Sequence, residues 1–167
     1  MSVLAADTRR HDTGGGFDPF HALYAGAIGA AVNSLAIHVT DWGGIRGGAG
    51  GLSRLVLASS RAMGAPLPAK FGWLGQEAFH MTVGLGAAFA YALVGHRLLR
   101  GPGALRGFLF VQPMWLAQAL IVLPWTGAGV FGWKLGLTTP LWSFALNAVF
   151  GVVLGALYAP RNAARSA

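Results

Sequence analysis

The chain has 167 residues, 54% of them hydrophobic and only 10% charged, where soluble domains carry roughly a quarter charged. With a mean hydropathy of +0.56, this composition excludes a water-soluble domain and leaves one that lives in a membrane. The net charge of +7 comes from twelve Lys and Arg residues scattered between apolar runs, which form no basic stripe for nucleic acid, and the absence of cysteine excludes disulfides, thiolate ligands and iron–sulfur clusters.

Residues 1–20 read as a mobile cytoplasmic arm. Arg9 and Arg10 are followed by Asp12, a Gly14-Gly15-Gly16 run and Asp18, not by the uninterrupted apolar core of a cleaved signal. The first span runs from His21 to Thr40, with Ala22, Gly26 and Ala30 at four-residue spacing, the pattern that lets membrane helices approach closely. In the loop that follows, Ser53, Arg54, Ser60 and Arg61 recur at helical spacing opposite Leu52, Leu55, Val56 and Met63. That pattern predicts a short interfacial helix lying on the membrane, ended by Pro66 and Pro68.

The second span runs from Gln76 to Leu99 and carries Gly84 and Ala88 at the same small-residue spacing. The third runs from Ala104 to Trp125. Pro113 should kink it, because its ring removes the N–H that would bond the Leu109 carbonyl, and Gln112 is expected to repair that site. The fourth runs from Thr139 to Tyr158, with Thr139 as N-cap, Pro140 at the first helical position and a Gly151/Gly155 packing motif; residues 159–167 form a cytoplasmic tail. Each run is close to the ~20 residues that cross a ~30 Å hydrocarbon core. The fold class that follows is all-α: an integral membrane four-helix bundle over residues 21–158, with a short interfacial helix between spans one and two.

Arg97, Arg100 and Arg106 crowd the tight link between spans two and three, whereas the loop between three and four has only Lys134. Basic residues beside span ends are retained in the cytoplasm, so both termini are expected there. Trp42, Trp73, Trp125, Trp133 and Trp142 then gather at the outer ends of the spans. Indole, apolar with one N–H to satisfy, anchors a helix at the interface or docks another membrane protein.

Polar side chains inside hydrocarbon are costly unless paired, so the few present are the best functional pointers. Asn33, Gln118 and Asn147 fall about 10 to 12 Å below the outer ends of three different spans, counting ~1.5 Å per residue, and His80 sits somewhat shallower on the other. The three amides are expected to bond one another across the bundle, as structural glue or as the lining of a ligand or proton site. His38, Asp41, Glu77 and His80 lie near the same outer face, with Glu77 and His80 one turn apart, a pairing suited to proton handling or metal ligation. No metal motif accompanies them, so no metal and no cofactor are expected. His38 with His80 is the one histidine pair at matching depth for haem b. There is no GxSxG, no cysteine and no buried carboxylate pair, so the protein is not expected to be an enzyme.

From Phe71 onward, Gly72-Trp73 with His80 and Gly84, Leu105-Arg106-Gly107, Leu123-Pro124, the run from Gly127 to Gly132 and the run from Phe150 to Gly155 carry a recognisable pattern. It resembles a family of small four-helix bacterial inner-membrane proteins, a domain of unknown function that is distantly YagU-like. That resemblance implies a multi-pass fold in the bacterial inner membrane. It would also place a histidine in span four, where this chain has Asn147.

The leading expectation is a non-catalytic subunit or assembly partner of a larger inner-membrane complex, contacting the lipid bilayer and other membrane subunits or further copies of itself. A small transporter or proton-conducting homo-oligomer built around the polar layer is the alternative, and a haem b electron carrier is third.

Overall fold

Four stretches of sequence are long and apolar enough, once helical, to cross a membrane, and a fifth, amphipathic stretch folds between the first two. In the computed structural model the described residues are 17–45, 50–64 and 71–158. The arm before Phe17, the tail after Tyr158, and the expectations for Pro66 and Pro68 lie outside them. The helices are α1 (Pro19–Trp42), α2 (Gly51–Ala62), α3 (Trp73–Leu98), α4 (Gly103–Trp125) and α5 (Thr139–Leu157). No strand forms among the described residues. The chain is a multi-pass, all-helical membrane protein.

The helix ends have local causes. Asp18 starts α1: its carboxylate accepts from the backbone N–H groups of Phe20 at 3.1 Å and His21 at 3.2 Å, with Pro19 at a position that needs no donor. Thr139 is not the cap of α5. The cap position is Thr138, whose side chain makes no capping bond, and Thr139 is instead a buried first residue of the helix. Pro113 sits inside α4, whose α-helical stretch continues to Ala117. Gln112 Nε2 donates to the Phe108 carbonyl at 3.1 Å, not to the Leu109 carbonyl expected, since the i−4 oxygen is within easier reach of a folded-back amide.

Two wide π-helical turns interrupt the spans, Tyr91–Gly95 in α3 and Gln118–Val122 in α4. Such turns are rare and concentrate at functional sites.

Helix α1 packs against α3 and α5, and α5 packs most extensively against α4, giving the spatial order α3, α1, α5, α4. Small residues set both close crossings. A Cβ on Gly26 would lie 2.5 Å from that of Ala88, and one on Gly84 would lie 2.8 Å from that of Ala30. Across α4 and α5 the approach is closer still: a Cβ on Gly107 would collide with the Gly151 carbonyl oxygen, and one on Gly155 with that of Gly103. Without a hydrophobic drive between helices in lipid, such backbone contact supplies the dispersion that holds the bundle together. Phe150 fills the centre, its ring 3.3 Å from where a Gly29 Cβ would stand.

One end of the bundle carries Trp42, Trp73, Trp125 and Trp133; the other carries Arg97, Arg100 and Arg106 together with the start of α1 and the end of α5. They are called the tryptophan end and the arginine end below.

Candidate binding cavity

Toward the tryptophan end the helices leave space between them. A cavity of about 240 Å³ opens there. Asn33, Ile37 and Asp41 line it from α1; Gln76, Glu77, His80 and Val83 from α3; Met114 and Gln118 from α4; Ser143, Leu146, Asn147 and Phe150 from α5. Gly50 to Ser53, the first turn of α2 and the residue before it, close it from the side.

The short amphipathic helix expected between spans one and two forms, and its first turn also closes against the bundle. Gly51 is buried against Gln118, so closely that a Cβ would stand 2.6 Å from its Cγ. Ser60, expected on the polar face, is buried at 3% exposure and bonds the Leu57 carbonyl at 2.9 Å, while Met63 is 75% exposed. A serine that satisfies its own hydroxyl in the preceding turn can be buried at little cost.

The three amides share the cavity but are not bonded to one another. Asn147 Nδ2 donates back to the Ser143 carbonyl at 2.9 Å. Asn33 is only 8% exposed and its Oδ1 has no hydrogen-bond partner. Gln118, carried on the π-helical turn, packs on Gly51. All three amides instead line the cavity.

The carboxylate–imidazole pair is also differently composed. Glu77 Oε1 lies 3.1 Å from Nε2 of His38 on α1, not against His80, and its Oε2 accepts from Ser34 Oγ at 2.6 Å. His80 lines the cavity with Nε2 buried and without a partner. Asp41, exposed at the end of α1, stands at the rim.

Comparison with family models, curated proteins and solved structures finds no match for this chain. What the site can do therefore rests on its own chemistry.

A water takes up about 30 Å³ of liquid, so the volume suits about eight waters or a small organic molecule, and it falls below the roughly 300 Å³ at which drug-sized ligands begin. Among the described residues no three His, Cys, Asp or Glu side chains are grouped to hold a metal ion. What the walls offer is a few hydrogen-bonding groups set among Ile37, Val83, Met114, Leu146 and Phe150.

Ser34, Ser143, Gln76 and the first turn of α2 were not singled out from the sequence. Ser34 carried the clearest missed signal, a small hydroxyl beside Asn33 and one turn before His38. Trp115, the one tryptophan away from the ends, satisfies its indole N–H on Ser143 Oγ at 3.2 Å and stacks near Phe131 and Phe144.

The arginine end holds a second, sealed polar group. Tyr91 and Tyr158 pack edge to face at 5.7 Å, His96 lies 5.2 Å from the Tyr158 ring, and Arg106 donates to the His96 carbonyl at 3.0 Å. The Tyr91 hydroxyl and Arg106 Nε in this group are buried without a hydrogen-bond partner.

Proposed function

We propose that the protein binds a small polar solute inside its bundle and passes it across the membrane, without catalysing a reaction on it. The cavity carries this reading: five helices contribute to its wall, and the side chains that are costliest in hydrocarbon, Asn33, Glu77, His80, Gln118 and Asn147, converge on it. Structural glue would have paired those groups with one another. Instead Asn33 Oδ1 and His80 Nε2 are left without partners, which is costly unless something else completes them. The first turn of α2, seated on Gln118 through a glycine, is the element whose displacement opens the site.

The chain has no cysteine, so one introduced thiol reports alone. Asn147→Cys, lining the cavity, is compared in detergent-purified protein with Val149→Cys, two residues on and outside the lining. Uncharged iodoacetamide should alkylate the first at least tenfold faster, because a thiolate forms only where water reaches it. Equal rates, or a faster Val149→Cys, would mean that the cavity is closed to solutes and the reading is wrong.

An address in the bacterial inner membrane, with both termini cytoplasmic, belongs to the same proposal. The arginine-crowded link between α3 and α4 supports the orientation, and the likeness to small YagU-like inner-membrane proteins supports the address. The tryptophan end favours a second reading, a non-catalytic subunit docked to other membrane chains, since Trp42 is 83% and Trp125 75% exposed. Native mass spectrometry after mild extraction separates the two: a foreign chain bound at that end favours the subunit.

A further inference from the structure

We infer that the solute is a small organic cation, an ammonium or related group carried on an apolar body. This rests on the cavity being a solute site, and adds the sign and shape of what enters it.

The fixed charges on the wall are all of one sign. Among the described residues the lining includes Asp41 and Glu77 and no Lys or Arg. Arg54, one turn further along α2, is exposed and outside the lining, with its Nε 3.8 Å from where a Gly50 Cβ would stand. A wall that keeps two of the three described carboxylates and none of the six described Lys and Arg side chains favours positive charge. Low-dielectric walls focus that field into the cavity.

An independent observation points to a ligand rather than to a solvated acidic rim. Asn33 is more than nine-tenths buried and lines the cavity, and its carbonyl oxygen has no donor. His80 Nε2, also unpartnered, lines the same space. Both have a place for a donor that the protein does not supply. An ammonium brings several donors and no acceptor, which suits a wall with two carboxylates and an unpaired amide oxygen. An anion would meet the carboxylates unfavourably.

The rest of the wall sets the shape. Phe79, Val83, Leu146 and Phe150 line the same cavity as the polar groups, so the wall offers contacts to an apolar body as well as to a charged head. Aromatic rings beside a cation add cation–π attraction. A bare metal ion would leave that apolar side unfilled, and the described residues group no metal-ligand set.

The test uses Asn147→Cys and, as an exposed reference at the same end, Thr138→Cys, in the folded full chain. Each is treated with a trimethylammonium-ethyl and a sulfonato-ethyl methanethiosulfonate of similar size. The cation-to-anion rate ratio at Asn147→Cys should exceed that at Thr138→Cys at least tenfold, about 1.4 kcal/mol of selection. Glu77→Gln should bring most of that excess down, and Asp41→Asn, at the exposed rim, should lower it without touching the packed interior. Butylammonium should protect Asn147→Cys at concentrations where butyrate does not. Equal ratios at the two positions, or protection by butyrate, would overturn the cation while leaving a solute site if iodoacetamide still reaches Asn147→Cys. No reaction with any of the reagents would overturn both.

Discussion

Replacing Gly107 by alanine should loosen the bundle more than any other single methyl group added to it. The new Cβ would collide with the Gly151 carbonyl oxygen and stand 2.7 Å from Gly155 Cα. Both are backbone atoms, so no side chain can rotate away. Restoring ordinary contact requires α4 and α5 to part by about 1 Å, which forfeits a quarter to a half of each dispersion contact along the seam. Overpacking of this kind costs about 1–3 kcal/mol, and the better helix propensity of alanine returns about 0.5–1 kcal/mol, leaving a net loss of up to about 2.5 kcal/mol. Gly86→Ala is the matched control, because a Cβ there meets nothing within 4 Å. It should be neutral or stabilising by the same propensity gain, about 0.5–1 kcal/mol. The assay is reversible unfolding in mixed micelles followed by helicity, with both variants on one denaturant scale. Equal shifts would show that helix propensity, not the glycine seam, sets the difference, and a stabilised Gly107→Ala would refute the seam outright.

Two further outcomes follow from particular contacts. Asn33→Leu removes a buried acceptor that has no donor, so it should leave stability unchanged or raise it by about 1 kcal/mol in the same unfolding assay, while lowering the protection of Asn147→Cys by butylammonium. For topology, thiols are placed at Pro102 and Thr138, since Gly101 and Gly129 hold positive φ of 109° and 80° that cysteine would strain. An impermeant reagent on intact cells should label Thr138→Cys and spare Pro102→Cys, and the opposite pattern would reverse the orientation.

The four spans were legible because hydrocarbon length and polarity impose them residue by residue, and Gly26, Gly84, Gly151 and Gly155 were legible because close approach demands small side chains at fixed spacing. That Asn33, Gln118 and Asn147 come to one region of the bundle was legible as well, and all three line the cavity. What could not be read was azimuth. Glu77 was assigned to His80, its neighbour one turn on, whereas its contacts are Ser34 and His38 on another helix. The same gap put Asn33 and Asn147 in contact, when both line the cavity without bonding each other. Gly103 and Gly107 repeat at the spacing of Gly151 and Gly155, but nothing in one sequence says which glycine faces which. The π-helical turn at Gln118 left no trace in periodicity, because an extra residue in one turn is smaller than the error of any pattern count. The start of α1 was placed two residues late, at His21 instead of Pro19, because an apolar count overlooks the Asp18 cap.

The spatial order α3, α1, α5, α4 bears on how the chain is made. Helices that are consecutive among the spans form two hairpins, α1 with α3 and α4 with α5, each zipped by its own small residues and each able to assemble as soon as its second member enters the bilayer. The joint between the hairpins is α1 against α5, the two helices farthest apart in sequence among the described residues. It is fastened where the Asp18 amide reaches the Tyr158 hydroxyl at 3.5 Å and where Phe150 seats on Gly29. Both walls of the cavity are therefore complete only after the final span has docked, and until then Asn33 and Glu77 stand on a half-built protein with lipid beside them. Assembly of the bundle and closure of the cavity thus depend on the same contact, so anything that delays α5 would hold the molecule inserted but with its cavity unformed.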